Sequence, residues 1–239
     1  LSLPHIDLKG FHCHVGSQVF GEDIFERASD IMLTFMAQCN VDFGITLQHL
    51  DMGGGYGVRY TDDDDYVDIP AAIGRVAAHM KAKCAELGMA LPKISMEPGR
   101  SIVADAGMTL YTVGTVKRIP GYKNYVSVDG GMGDNPRYAL YESDYTALIA
   151  NKANEKADFK CTIAGKCCES GDMIGENMEL NDVKVGEILA ILSTGAYNYS
   201  MSSNYNRLVR PAVVMVSDGK SKVVVKRETY EDIIKNDVL

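Results

Sequence analysis

The chain has 239 residues, 46% hydrophobic, and a formal net charge of -8 from 32 acidic and 24 basic side chains. Without a compensating basic stripe, that balance excludes nucleic acid and anionic membrane as expected partners. No apolar run approaches the ~20 residues of a membrane span, and the length suffices for one large core or two modest ones.

The chain begins at Leu1 and runs through Pro4 directly into a strand, so the expectation is a piece of something longer. Residues 9–15 read as that strand, and residues 23–38 as an amphipathic helix with apolar positions at helical spacing. Residues 47–52 form a short strand ending in glycines. Residues 69–87 form a helix stopped at Gly88, and residues 93–96 a third strand. Alternating βα units with short connections predict a parallel sheet covered by helices. Each candidate motif of this half follows a strand, on the side where βα-barrel active sites collect. Three strands do not close an eight-stranded barrel, which leaves an open sheet or missing partner strands.

Beyond about residue 105 the texture changes. Segments 108–117, 124–129, 158–164, 188–192, 209–216 and 222–227 read as short β-branched strands between Gly, Asn and Asp turns. Ser217-Asp218-Gly219-Lys220 is a hairpin signal. The expected fold is therefore α/β over 1–104, followed by an antiparallel β-sandwich or barrel over 105–239. Asp62 to Asp65 reads as a solvated loop rather than a calcium site. Six scattered cysteines without a CxxC pair suit reduced thiols in a cytoplasmic protein.

Several motifs carry chemistry. Cys167-Cys168-Glu169-Ser170-Gly171-Asp172 places a thiol beside an acid on a tight turn, a proton donor next to a handle for a cation. His12 and His14 share one strand face, which invites a zinc reading. No later HxxH, CxxC or Asp-His pair completes such a shell, so no metal is expected. Ser17 follows a turn, where hydroxyls contact phosphate, and Gly53-Gly54-Gly55-Tyr56-Gly57 exposes successive N–H groups able to cradle one. Glu97-Pro98-Gly99-Arg100 can face a heteroaromatic nitrogen with its acid and an anion with its base. Arg137 and Tyr141 stand at i, i+4 and can clamp one carboxylate if the turn is helical.

Taken in order, these motifs resemble the alanine-racemase-like, fold-type-III PLP decarboxylases, within them the diaminopimelate decarboxylase branch. The resemblance rests on residues 14–18, 97–100, 168–172 and Met201-Ser202-Ser203-Asn204-Tyr205-Asn206, and it covers nearly the whole chain. It implies the C-terminal portion of a PLP-binding (β/α)8 TIM barrel followed by the β-domain. It implies pyridoxal 5'-phosphate as cofactor and decarboxylation of meso-diaminopimelate to L-lysine as activity. His14 would pack against the cofactor ring and serve the chemistry. Ser17, Gly54, Gly55, the Gly99 region and Tyr197 would hold the phosphate, and Glu97 the ring nitrogen. Arg100, Arg137, Tyr141 and Tyr197 would contact substrate, with Glu169 on its distal ammonium and Cys168 as proton donor. The Cys168 segment would reach the neighbouring subunit's site, implying a homodimer with shared active sites. The family's Tyr-Ala-x-Lys motif with the Schiff-base lysine is absent from this sequence. The alternatives are a non-catalytic, dimerising or phosphate-binding fragment, a related basic amino-acid or polyamine decarboxylase, or a metal-dependent hydrolase using His12 and His14.

Overall fold

A computed structural model describes residues 3–21 and 23–238. Its contacts divide the chain into two compact units. The first runs up to Arg59 and resumes over Asp63–Val103, and the second holds Tyr60–Asp62 and everything from Ala104.

In the first unit, β1 (Gly10–His12), β2 (His49–Asp51) and β3 (Lys93–Ser95) form a parallel sheet in chain order. The helices α1 (Ile24–Phe43) and α2 (Ile69–Glu86) connect them and lie side by side. Leu33 and Met36 from α1, Val76 and Met80 from α2, and Leu50 from β2 fill the core. Helix α1 runs past the expected end at Gln38 because its stop signal is Gly44. That residue adopts φ 64° and returns its N–H to the Asn40 carbonyl, a left-handed cap. Helix α2 starts where Asp68 accepts the Ala71 N–H, with Pro70 in the first turn, where its missing donor costs nothing. The strands are shorter than the apolar runs suggest. Past His12, Asp51 and Ser95 the chain leaves the ladder and forms the loops that carry the site motifs.

In the second unit, β4 (Thr109–Arg118), β5 (Asn124–Val128), β6 (Ala147–Ile149), β7 (Phe159–Ala164), β8 (Met173–Leu180) and β9 (Ile188–Ile191) build one sheet in the order β6-β9-β4-β5-β7-β8. The expectation of a purely antiparallel domain needs correcting, since β5 and β7 run parallel. The long connection between them carries α4 (Arg137–Tyr141) and β6, and so brings the chain back in the same direction. Strand β8 was not predicted. A bulge places Asn177 at φ 56° and breaks the alternation that marks a strand in sequence. The two edge strands β6 and β8 curl together, and the Ile149 N–H donates to Asn181 Oδ1 at 3.1 Å. The sheet is therefore barrel-like and nearly closed, around Val113, Ile163, Ile174, Leu180 and Leu189.

A separate hairpin, β10 (Val213–Ser217) and β11 (Lys220–Val225), turns through Asp218 and Gly219 at φ 51° and 70°. Positive φ at both central residues is the twist-matched two-residue turn that the Asp-Gly pair predicts. The short helices α3 (Arg100–Val103) and α5 (Tyr230–Ile234) complete the elements, α5 with a Thr229–Asp232 capping box. Among the described residues no helix is long and apolar enough to cross a membrane.

Candidate functional site

In the first unit, three loops leave the C-terminal edge of the sheet and interlock. The β2 loop lies between the other two with almost no clearance. A Cβ at Gly54 would fall 2.2 Å from the Glu97 carbonyl oxygen, and one at Gly55 would fall 2.0 Å from that of Gly16. Gly55 also adopts φ 110°, open to glycine alone among ordinary residues. The glycine run is thus fixed first by backbone contact, and side chains take two of its amides, Gly53 N–H by the Asp51 carboxylate and Gly54 N–H by the His14 ring. The loops are tied by the Glu97 N–H to the Gly53 carbonyl at 2.7 Å and by Val19 N–H to the Gly55 carbonyl at 2.9 Å. Gln18, at φ 58°, braces the rim with both ends of its amide on the Val58 backbone, at 2.9 and 3.0 Å.

Side chains on these loops form two groupings. Buried Arg100 donates to Ser17 Oγ at 3.0 Å, placing a guanidinium and a hydroxyl where an anion can take both. His14 Nδ1 accepts the Gly54 N–H at 3.3 Å, which leaves the proton of a neutral ring on Nε2. Glu97 is exposed, with Oε2 3.1 Å from His12 Nε2, and Asp51 lies beside them. The zinc reading paired His12 with His14; the fold instead groups His12 with Asp51 and Glu97.

In the second unit, three loops carry the remaining candidates. Asp172 is buried and its carboxylate accepts two amides, Met132 N–H on Oδ1 and Cys167 N–H on Oδ2, each at 2.6 Å. It thereby laces the 165–172 turn to the loop that leads into α4. Gly131 and Gly165 make room for it, since a Cβ at either would meet that carboxylate within 2.4 Å. A third loop, 202–207, grips the turn from outside. The Cys168 N–H donates to Asn206 Oδ1 at 3.0 Å, and the Tyr205 hydroxyl donates to Glu169 Oε2 at 3.1 Å. Ser203 N–H closes onto the Gly133 carbonyl at 2.8 Å.

The electrostatics separate the two neighbouring cysteines. Burial, then the charge and hydrogen bond of Asp172, push the Cys167 thiol up to about 11. Cys168 is exposed, so it is the thiol that a ligand can reach. Glu169 is held below the usual carboxylate range by the Tyr205 hydroxyl first and the Gly171 amide second. The pair presents a reachable proton carrier beside a carboxylate that stays ionised.

Arg137 and Tyr141 do share a face of α4, with the guanidinium 5.3 Å from the ring centroid. Arg137 is buried and donates to Ser143 Oγ at 3.3 Å, while Tyr141 is exposed. Arg137 also faces Tyr145, whose hydroxyl is pushed up by burial and drawn down by that charge. Tyr197 sits at φ 62°, an uncommon conformation for a bulky residue. It follows Thr194 and Gly195, whose amides bond the Gly107 and Ala104 carbonyls, both at 3.0 Å. Gly99 lies exposed just ahead of α3. The sequence reading missed Asp172, Tyr205 and Asn206 as organisers of the turn; Asp172 stood inside the motif, but its inward direction was not visible.

Residues 1–104 match the family model described as pyridoxal-dependent decarboxylase, pyridoxal binding domain. The chain is 47% identical over 238 residues to a diaminopimelate decarboxylase of Bacillus subtilis (strain 168), covering 100% of this chain and 54% of that protein. It is 47% identical over 234 residues to one of Staphylococcus aureus (strain COL), covering 98% and 54%. A crystal structure of diaminopimelate decarboxylase from M. jannaschii in complex with L-lysine superposes with a TM-score of 0.83. It is 34% identical and covers 95% of this chain and 51% of that one. The chain spans about half the length of the curated relatives it matches.

Proposed function

We propose that this chain is the C-terminal part of a diaminopimelate decarboxylase, an enzyme converting meso-diaminopimelate to L-lysine and CO2, in line with its 47% identity to such a protein. In this reading residues 1–104 are the last strands of a PLP-binding TIM barrel and residues 105–239 its β-domain. The observation that carries the proposal is the 167–172 turn. It holds a reachable thiol and an ionised carboxylate side by side, each fixed by a residue of the 202–207 loop.

The residues of the first unit fit pyridoxal phosphate. Arg100 with Ser17, the Gly55 backbone and the exposed Gly99 turn suit a phosphate, with Gly54 beside them holding the His14 ring through its N–H. Exposed Glu97 suits a protonated pyridine nitrogen, and His14 offers a flat ring to stack on the cofactor. When bound, the cofactor supplies the electron sink that makes loss of CO2 feasible. The chain's own residues do the rest. Arg137 and Tyr141, with Arg100 and Tyr197, receive carboxylates. Glu169 recognises the distal ammonium and so rejects substrates lacking it. Cys168 Sγ delivers the proton that replaces CO2, which requires a thiol rather than a thiolate at rest.

The amino-acid substrate is the only partner class this reading needs besides a second copy of the chain, in a homodimer whose exposed Cys168–Glu169 turn completes a shared site. A cytoplasmic setting accords with six cysteines that form no disulfide.

The test uses the longer protein containing this sequence, with PLP added. It is expected to release CO2 from meso-diaminopimelate, and Cys168→Ala is expected to lower turnover by about 100-fold or more while PLP still binds. Release from ornithine or lysine but not diaminopimelate would transfer the assignment to a polyamine-type decarboxylase. Unchanged turnover in Cys168→Ala would remove the thiol from the mechanism.

A further inference from the structure

Three side chains of ligand type meet at the C-terminal edge of the parallel sheet. His12 ends β1, Asp51 ends β2 in register with it, and Glu97 follows β3 two residues beyond Ser95, the register partner of Asp51. Two neighbouring strand ends and the loop after the third strand thus deliver one donor each to the same spot. One donor atom from each residue lies within 4.8 Å of the other two, and His12 Nε2 is 3.1 Å from Glu97 Oε2. Donors sharing one zinc-like ion at ~2.0–2.2 Å stand roughly 3–4 Å apart, so small side-chain rotations suffice.

We propose that His12, Asp51 and Glu97 form a binding site for a divalent transition-metal ion of the zinc and cobalt class. An imidazole with two carboxylates favours such ions over calcium or magnesium, which prefer all-oxygen shells. Asp51 is oriented for the task. Its Oδ1 accepts the Gly53 N–H at 2.8 Å, which steers the carboxylate and leaves lone pairs for an ion. Two donors sit on strands and the third on a loop locked by its backbone, so little ordering is needed on binding. The nearby thiol of Cys13 turns instead toward Met52, with Sγ 4.0 Å from its sulfur. A consequence rests on the proposed function: the ion uses Glu97, the carboxylate assigned to the cofactor ring nitrogen, so metal and cofactor exclude each other.

The experiment is a Co2+ titration of the full chain, followed by visible absorption and calorimetry, with Zn2+ as competitor. One ion per chain is expected, with ligand-field bands and no thiolate charge-transfer band. His12→Gln and Asp51→Asn should each weaken binding by more than about tenfold with the circular dichroism spectrum unchanged. Cys167→Ser and Cys168→Ser should leave it unaltered. Absence of binding, or binding lost with a cysteine and kept in His12→Gln, overturns the site. A parallel titration with PLP present separates the two ideas: a raised apparent Kd supports shared use of Glu97. An unchanged Kd with PLP bound leaves the metal site standing and refutes the cofactor's use of that carboxylate.

Discussion

At the scale of single residues, the turn at 167–172 depends on direction rather than composition. Cys167 and Cys168 are chemically identical neighbours, yet one faces the Asp172 carboxylate and the other faces solvent. Alkylation with iodoacetamide at neutral pH is therefore expected to label Cys168 before any other cysteine, read by peptide mass spectrometry. Faster labelling of Cys167 would contradict the assignment of the reachable thiol. Glu169 owes its low pKa first to Tyr205. Tyr205→Phe should raise the Glu169 carboxyl toward its ordinary value, seen by side-chain NMR titration, and should leave the Cys168 amide bonded to Asn206.

At the scale of elements, loops gain their shape from backbone contact and charged anchors. Gly55→Ala must place a methyl group against the Gly16 carbonyl and hold a left-handed φ. It is expected to loosen the β1 and β2 loops and to abolish phosphate binding, measured with inorganic phosphate by calorimetry. The 202–207 loop has a different anchor. Glu228 binds the Arg210 side chain and amide together with Asn204, and its carboxyl is held down to about 2 against an ordinary 4.5. A folded-state pKa below the unfolded one adds stability that is complete above about 4.5 and fades as pH falls toward about 2. Amides of the 202–207 loop should thus show less exchange protection at pH 3 than at pH 6. Glu228→Gln should remove that dependence.

At the scale of the molecule, each unit has its own core. Leu50 of β2 is fully buried in the core it shares with residues of α1 and α2, and Leu50→Ala should cost about 2–5 kcal/mol in urea unfolding. The Tyr-Ala-x-Lys motif that the proposed reading requires for a Schiff-base lysine is absent from this sequence, so borohydride reduction of the chain with PLP is expected to leave no PLP-lysine adduct in the intact mass. A stable adduct would assign the covalent anchor to a lysine of this chain. Sedimentation velocity should show a dimer; a strict monomer would weaken the proposal of shared active sites.

Local features were readable from the order of amino acids alone. Apolar positions at helical spacing marked α1, the Gly88 stop signal marked the end of α2, and the Asp218-Gly219 pair marked the hairpin, because these are local choices of φ and side-chain pattern. Motif order along the chain was enough to indicate the decarboxylase resemblance, since it needs no distances. The remaining features emerged from the three-dimensional fold. It showed that the glycine run is required by the Glu97 and Gly16 carbonyls and that β5 and β7 run parallel. It turned Asp172 inward, gave Cys168 and Glu169 their partners, and gathered His12 and Asp51 from two strand ends with Glu97 from the loop after a third. Each of these joins residues far apart in the chain, and periodicity and propensity carry no information about such pairings.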